Sequence, residues 1–213
     1  MSLELAAVIL AAGASRRYRG GNKLLADLGG KPLIRVLVEQ VLESAVDDVI
    51  VVTGKDRILV EMALASLPLR FVHNEDRQSG MGGSISLGVS AVTARTDGVY
   101  IIPGDMPFLR GKLLDSLAKV FEETKGGRIV FPVLPNGAQR NPVLWPREFF
   151  PQLVLLAGKK GAKPLLADYA SRWSAVSGFP ELVFTDVDTL EDMQAIRQIS
   201  LLDESPRHPA SRG

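Results

Sequence analysis

The sequence predicts an α/β fold in three layers: a mostly parallel, twisted sheet with helices on both faces, and a small antiparallel addition in the C-terminal half. Three observations carry that prediction. Short apolar, β-branched runs recur, each bounded by glycine, proline or charge; segments with helical apolar spacing separate the early ones; and the rhythm breaks near Pro132.

Residues 6–10 lie in an apolar stretch that ends at Gly13 and read as a buried strand. The segments 49–53, 70–73 and 99–102 read as the strands that follow. Leu33, Leu37, Val41 and Leu42 have helical spacing, as do Leu59, Met62, Ala63 and Leu67, and later Leu113, Leu117, Val120 and Phe121. Such alternation generates right-handed crossovers and a parallel sheet. The strands 129–134 and 143–145 are separated by Leu134-Pro135-Asn136-Gly137, with no room for a crossover helix, so antiparallel pairing enters there. A last strand is expected over 182–187, followed by a helix opening at Thr189.

The chain has 213 residues and 46% hydrophobic content, enough for one domain over residues 1–202. Residues 203–213 are polar and include Ser205, Pro206, Pro209 and Ser211, a composition expected to stay disordered. Formal net charge is +1, so no global field draws the protein to nucleic acid or membrane, and any anion must be gripped locally. The absence of cysteine excludes disulfides, thiolate metal sites and a cysteine nucleophile. Glu4 stands where a secretion signal has basic residues, and no apolar run approaches the roughly 20 residues of a membrane helix. A cytoplasmic protein is expected.

In an open α/β sheet, ligands bind beyond the carboxyl ends of the strands, so the residues after each strand hold the candidates. The first stretch runs from Leu10, Ala11, Ala12 and Gly13 through Arg16, Arg17 and Arg19 to Lys23. Its small residues let backbone N–H groups approach phosphate oxygens, and its cations neutralise them. It has neither the Lys-Ser or Lys-Thr pair of a Walker loop nor the spaced glycines of a dinucleotide fold. The second is Pro103-Gly104-Asp105-Met106-Pro107, where Asp105 is a candidate magnesium ligand, since that ion takes one or two carboxylates with waters and phosphate oxygens. The third is Asp186-Val187-Asp188-Thr189, whose aspartates share one side of an extended segment; a helix cap at Asp188 or Thr189, with Asp192, explains the same pattern. The fourth is the glycine-rich loop 74–88 with Gly80 and Ser84, feeding a helix whose N-terminus favours anions or polar base edges. His73 and His208 take no role, and Trp145 and Trp173 are expected in the core or in a pocket wall.

Together these stretches resemble the MobA-like nucleotidyltransferase family that includes the molybdenum cofactor guanylyltransferase and cytidylyltransferase, from Val8 to about Ile196. The opening Leu10-Ala11-Ala12-Gly13 with Arg17 and Lys23 is similar to the family signature, and Asp105 and Asp188 match its metal-side positions. Ala12, the stretch Gly80-Met81-Gly82-Gly83-Ser84 and the stretch Gln139-Arg140-Asn141-Pro142-Val143-Leu144 resemble the cytidylyltransferase branch. Three positions depart from that pattern. Arg19 stands where glycine is usual, Arg140 where a glycine often precedes the asparagine, and Lys159, in Gly158-Lys159-Lys160-Gly161, where a Gly-Asp-x-Gly loop has aspartate.

The resemblance implies a Rossmann-like nucleotide-diphospho-sugar transferase fold, with a nucleotide-binding half over about 1–110 and an acceptor-binding half over about 111–202. It implies transfer of CMP from CTP, or GMP from GTP, to the phosphate of molybdopterin, with Mg2+ as cofactor and a molybdenum hydroxylase or its chaperone as partner. On that basis Arg17 and Lys23 hold the triphosphate, with Arg16 or Arg19 auxiliary. Asp105 and Asp188 hold magnesium. The backbone of Leu10, Ala11, Ala12 and Gly13, with Gly80, Ser84, Pro103 and Gly104, holds the nucleotide. A sugar or alditol phosphate acceptor fits the same residues. So does a non-catalytic cofactor carrier, although retention of Lys23, Asp105 and Asp188 together argues for catalysis.

Overall fold

Strand β1 (Leu5–Ala11) organises the molecule because all seven of its residues are apolar and its pleat sends them to opposite faces. The computed structural model describes residues 3–15, 17–76 and 78–203. Leu5, Ala7, Ile9 and Ala11 enter one core, while Ala6 and Val8 enter a second on the other side of the sheet. After β1 come a hairpin of β2 (Asp27–Leu28) and β3 (Lys31–Pro32), then α1 (Leu33–Leu42), β4 (Asp48–Thr53), α2 (Arg57–Ala63), β5 (Arg70–His73) and α3 (Gly80–Ser90). β6 (Gly98–Pro103), α4 (Gly111–Glu123), β7 (Ile129–Pro132), β8 (Val143–Pro146), α5 (Phe150–Val154), α6 (Lys163–Asp168), β9 (Trp173–Val176) and α7 (Leu190–Asp203) follow.

The main sheet has the order β5-β4-β1-β6-β8-β7-β9. β5, β4, β1 and β6 run parallel; β8 is antiparallel to both β6 and β7; and β9 returns parallel to β7. One face is covered by Leu33, Leu37 and Val41 of α1, Leu113 and Leu117 of α4, and Met193 and Ile196 of α7. The other is covered by Ile85 and Val89 of α3, Leu153 of α5 and Leu166 of α6. Three layers and the antiparallel addition are thus as the sequence pattern implies. Among the described residues, no helix is long and apolar enough to cross a membrane.

Two expected elements differ. At α2, Val60 and the following Leu64 are buried and Ala63 and Leu67 pack against the core, while Leu59 and Met62 are exposed, so only half of the stripe its spacing suggested turns inward. Residues 182–187 form no strand: a 3-10 turn covers Glu181–Phe184, and the chain then crosses the carboxyl edge of the sheet. The outer place beside β7 is taken by β9, a short edge strand of mixed burial with no apolar run to announce it. The segment instead buries Phe184 and Val187, and the N–H of Val187 donates to the carbonyl oxygen of Asp105 at 3.0 Å. The expected disordered tail lies, from residue 204 onward, outside the described residues.

Gly88 sets the approach of α3 to the sheet. A Cβ there would meet Val8 Cγ1 at 2.3 Å and Val52 Cγ2 at 3.0 Å. Gly88→Ala is therefore expected to push α3 outward and destabilise the fold by about 1–3 kcal/mol, seen as a lower Tm in thermal unfolding; an unchanged Tm would contradict this packing.

Candidate active site

Loop 12–22 closes on itself before it reaches the site. Ser15 has φ of +46°, and its carbonyl accepts from the N–H of Tyr18 at 3.0 Å, while its hydroxyl accepts from the N–H of Lys23 at 3.3 Å. Asn22 caps the 3-10 turn Lys23–Leu25 by accepting from the N–H of Leu24 at 3.0 Å, and its amide donates to Asp56 at 3.0 Å. With Leu24 and Tyr18 buried as anchors, Lys23 is fixed above the carboxyl edge of β1 and β6.

Opposite it, the sheet ends tightly. The N–H of Gly104 donates to Leu10 O at 3.1 Å, and a Cβ at 104 would stand 2.7 Å from that oxygen, so only glycine lets β6 turn here and present Asp105. The 186–188 segment is tied to Asp105 through Val187, which brings Asp188 to the same edge. The competing explanation of Asp188 as a cap resolves residue by residue. Thr189 Oγ1 accepts from the N–H of Asp192, and the Asp192 carboxylate accepts from the N–H groups of Asp188 and Thr189 at 3.0 and 2.8 Å. Thr189 is the cap, and the Asp188 carboxylate is left for the site.

Lys23 Nζ lies 2.5 Å from Asp105 Oδ2 and 3.1 Å from Asp188 Oδ1, and the Arg17 guanidinium lies 2.8 Å from Asp188. The side chains of Lys23 and Asp105 are 13% and 19% exposed, against 72% for Arg17. Burial works to discharge Lys23, but the charge and hydrogen bond of Asp105, joined by those of Asp188, outweigh it and hold its pKa above the ordinary lysine value. Asp186 stands beside them. Partial desolvation, then the charges of Asp105 and Asp188, push its carboxyl above the usual range against the opposing pull of Lys23. Among the described residues, no group of three or more His, Asp or Glu side chains is arranged to hold a metal alone.

A cavity of about 790 Å³ opens over these groups. Of the residues singled out from the sequence, Leu10, Ala12, Gly13, Arg17 and Lys23 line it, as do Gly80, Ser84, Pro103, Gly104, Asp105 and Asp188. Ala11 does not: it is the last residue of β1, with its side chain in the core. Arg19 is exposed outside the lining, and Arg16 lies outside the described residues. At the α3 N-terminus the N–H of Gly82 donates to Gly158 O at 2.8 Å, which takes up one of the donors that the loop offers.

Lys55, which the sequence did not mark, lines the cavity, as do Asn74, Asn141, Lys159 and Asp186, which lie in marked stretches but were given no role of their own. Gly54-Lys55 and Asn74 directly follow β4 and β5, so the carboxyl-edge rule, applied to every strand, finds them. Asn74 is buried, and its amide donates to Ser79 and Ser84 Oγ at 2.9 and 3.0 Å. Trp145 lies at 1% exposure in the core, also lining a second cavity of about 670 Å³, and Trp173 packs edge-on to Phe131 with ring centroids 5.3 Å apart.

The chain belongs to the MobA-like NTP transferase domain family. The family model spans residues 7–173. The chain is 28% identical over 199 residues to the molybdenum cofactor guanylyltransferase of Shewanella putrefaciens, covering 91% of this chain and 96% of that protein. It is 31% identical over 132 residues to the bifunctional protein GlmU of Syntrophomonas wolfei; this covers 62% of the chain and 29% of GlmU's length. Its fold matches the crystal structure of the Mycobacterium tuberculosis Rv0371c homologue from Mycobacterium sp. strain JC1, with a TM-score of 0.83 at 25% identity, over 96% of this chain and 100% of that one. It also matches Rv0371c of M. tuberculosis H37Rv in complex with manganese, at TM-score 0.74 and 23% identity, over 92% and 98% of the two chains. The nucleotide-diphospho-sugar transferase-like fold implied by the sequence is the fold observed.

Lys23→Ala leaves two carboxylates facing each other. We expect the metal-free variant to lose roughly 2 kcal/mol, a Tm fall of roughly 4–8 °C, and Mg2+ to raise its Tm more than that of the unaltered protein. Equal shifts with Mg2+ would show that Lys23 and the cation do not share the place.

Proposed function

We propose that the chain is a magnesium-dependent cytidylyltransferase, transferring CMP from CTP to the phosphate of a molybdopterin-type acceptor with release of pyrophosphate. The observation that carries the nucleotidyl-transfer reading is the convergence of Lys23, Arg17, Asp105 and Asp188 at one sheet edge inside the cavity. Support for CTP is sequence-borne: Ala12, the stretch 80–84 and the stretch 139–144. In this reading the half up to about residue 110 binds the nucleotide, and residues 111–202 supply most of the acceptor side.

The donor set fits a magnesium ion. Asp105 and Asp188 already hold one cation, Lys23 Nζ, between them, and magnesium needs only one or two carboxylates when phosphates and waters complete its shell. A structure of similar fold, Rv0371c of M. tuberculosis H37Rv, was solved in complex with manganese, which accords with a divalent cofactor. Held by Asp105 and Asp188, the ion would supply positive charge that neutralises the charge developing on the triphosphate.

The chain's own residues position the reactants. An oxygen of the acceptor phosphate bonds to the α-phosphorus as the bond from that phosphorus to the bridging oxygen breaks, and the electron pair leaves with pyrophosphate. This requires alignment and charge neutralisation rather than a protein nucleophile. Lys23, released from its carboxylates, and Arg17 reach the triphosphate, Arg17 as a planar fork and Lys23 as a point charge. The backbone at Ala12 and Gly13, with Gly80, Ser84, Pro103 and Gly104, encloses the base and ribose, and Asn74 holds Ser84 in place.

Guanylyl transfer is a second reading, favoured by the full-length similarity to a guanylyltransferase. Thermal shifts with each of the four triphosphates and Mg2+ separate the two: CTP is expected to give the largest shift, and a larger one with GTP would reassign the base. Asp105→Asn and Lys23→Ala are each expected to slow Mg2+-dependent pyrophosphate release on the order of a hundredfold. Near-normal rates in both would remove this site assignment.

A further inference from the structure

The sheet ends at β5 with an open edge. β5 pairs with β4 on one side only, through its even-numbered residues: Asn74 N–H donates to Thr53 O at 2.8 Å, in the register that sets Val72 beside Val52 and His73 beside Thr53. Phe71 and His73 therefore turn their backbone N–H and C=O outward. Among the described residues, no loop or side chain bonds to those groups. Beside the edge lies an apolar face. Ile58, Leu59 and Met62 share one side of α2, at spacings of three and four, and are 71%, 53% and 68% exposed. Phe71, 37% exposed, stands beside Val51 on the sheet face that α2 covers. Ile58 and Leu59 border the edge itself, since they line a cavity of about 640 Å³ together with His73.

Charge and area indicate what covers this face. Arg57 is paired with Glu61 at 2.7 Å and Arg70 with Asp48, and in the bordering cavity Lys55 and Arg57 balance Asp56 and Glu75. A face without net charge offers a charged partner no field to follow, yet meets its own copy without repulsion. At about 200 Å² for a large apolar residue fully exposed, these four residues leave roughly 450 Å² of apolar surface open on each chain. Two such faces supply roughly 900 Å². Homodimer interfaces are about 65% apolar, so this corresponds to about 1,400 Å² in all, within the roughly 1,200–2,000 Å² of a stable interface.

We infer that the chain forms a two-fold dimer in which the β5 edges pair antiparallel and the exposed faces of the two α2 helices close over the seam. An axis normal to the sheet at Val72 sets Phe71 opposite the partner's His73, and each donates to and accepts from the other. The same axis keeps both α2 helices on one face of the joined sheet, so Ile58, Leu59, Met62 and Phe71 of each chain lose their water together. Both the unpaired backbone groups and the apolar side chains are thereby satisfied by one symmetric contact.

Sedimentation velocity of the full chain over roughly 1–100 µM is expected to show a concentration-dependent approach to twice the mass of one chain. Ile58→Glu and Met62→Glu each set a carboxylate into the seam and are expected to weaken the dimer about a hundredfold. Both positions are exposed in the single chain, so at the lowest concentration the circular dichroism and Tm of these variants should match those of the unaltered protein. Leu155→Glu, at a position 83% exposed just beyond α5 on the other face of the sheet, should leave the association unchanged. Hydrogen exchange resolved to single amides reads the edge directly: Phe71 and His73 should exchange roughly tenfold more slowly in the concentrated unaltered protein than in Met62→Glu. A chain that stays monomeric at about 100 µM, that grows into species larger than a dimer, or whose dimer survives both glutamate variants would overturn the inference. So would a dimer lost in Leu155→Glu, or equal exchange at Phe71 and His73 in the dimer and in Met62→Glu.

Discussion

The Lys23 ammonium between Asp105 and Asp188 is the interaction on which the site depends. Two carboxylates brought to one sheet edge repel each other and lose water, a cost that grows as the dielectric falls. A cation between them offsets that repulsion and keeps the edge assembled before substrate arrives. Under the proposed function the same arrangement would make the site responsive: a divalent ion would satisfy the carboxylates more fully and leave Lys23 available to a phosphate.

The surrounding structure can be read as the means of holding those three groups. Gly104 allows β6 to end against Leu10 and turn Asp105 outward. Val187 hydrogen-bonds to the Asp105 carbonyl and is itself fully buried, so the segment bearing Asp188 is anchored on both sides. Ser15 and Asn22 close the first loop so that Lys23 begins a short turn. None of these contacts involves the reacting groups, yet each fixes where one of them stands.

Much of this was legible in the sequence, because period and spacing report on burial. The all-apolar β1 and the α1 and α4 stripes located the core, and glycine with charge after buried strands marked Lys23 and Asp105. Position 188 was ambiguous for a physical reason: Asp188 and Thr189 both satisfy the chemistry of a helix cap, and only the backbone geometry assigns that role to Thr189. Residues 182–187 have a strand's composition, but strand pairing is a long-range property, and the vacant edge went to the less apolar Trp173–Val176. Lys159 and Asn141 lie in stretches that the sequence marked, but their places in the cavity wall depend on tertiary docking, which local pattern does not record.

The reversal of β8 has a consequence for how such a site can diversify. Ile101 of β6 pairs with Val143 of β8, so the carboxyl edge of the parallel strands adjoins the beginning of this antiparallel one. Asn141 therefore reaches the cavity from chain that enters a strand, while Asp105 reaches it from chain that leaves one. Changes in the length of the 133–142 connection can reshape one wall while the registers of β1 and β6, which fix the opposite wall, stay as they are. The molecule in effect separates a wall set by strand register from a wall set by the length of a connection.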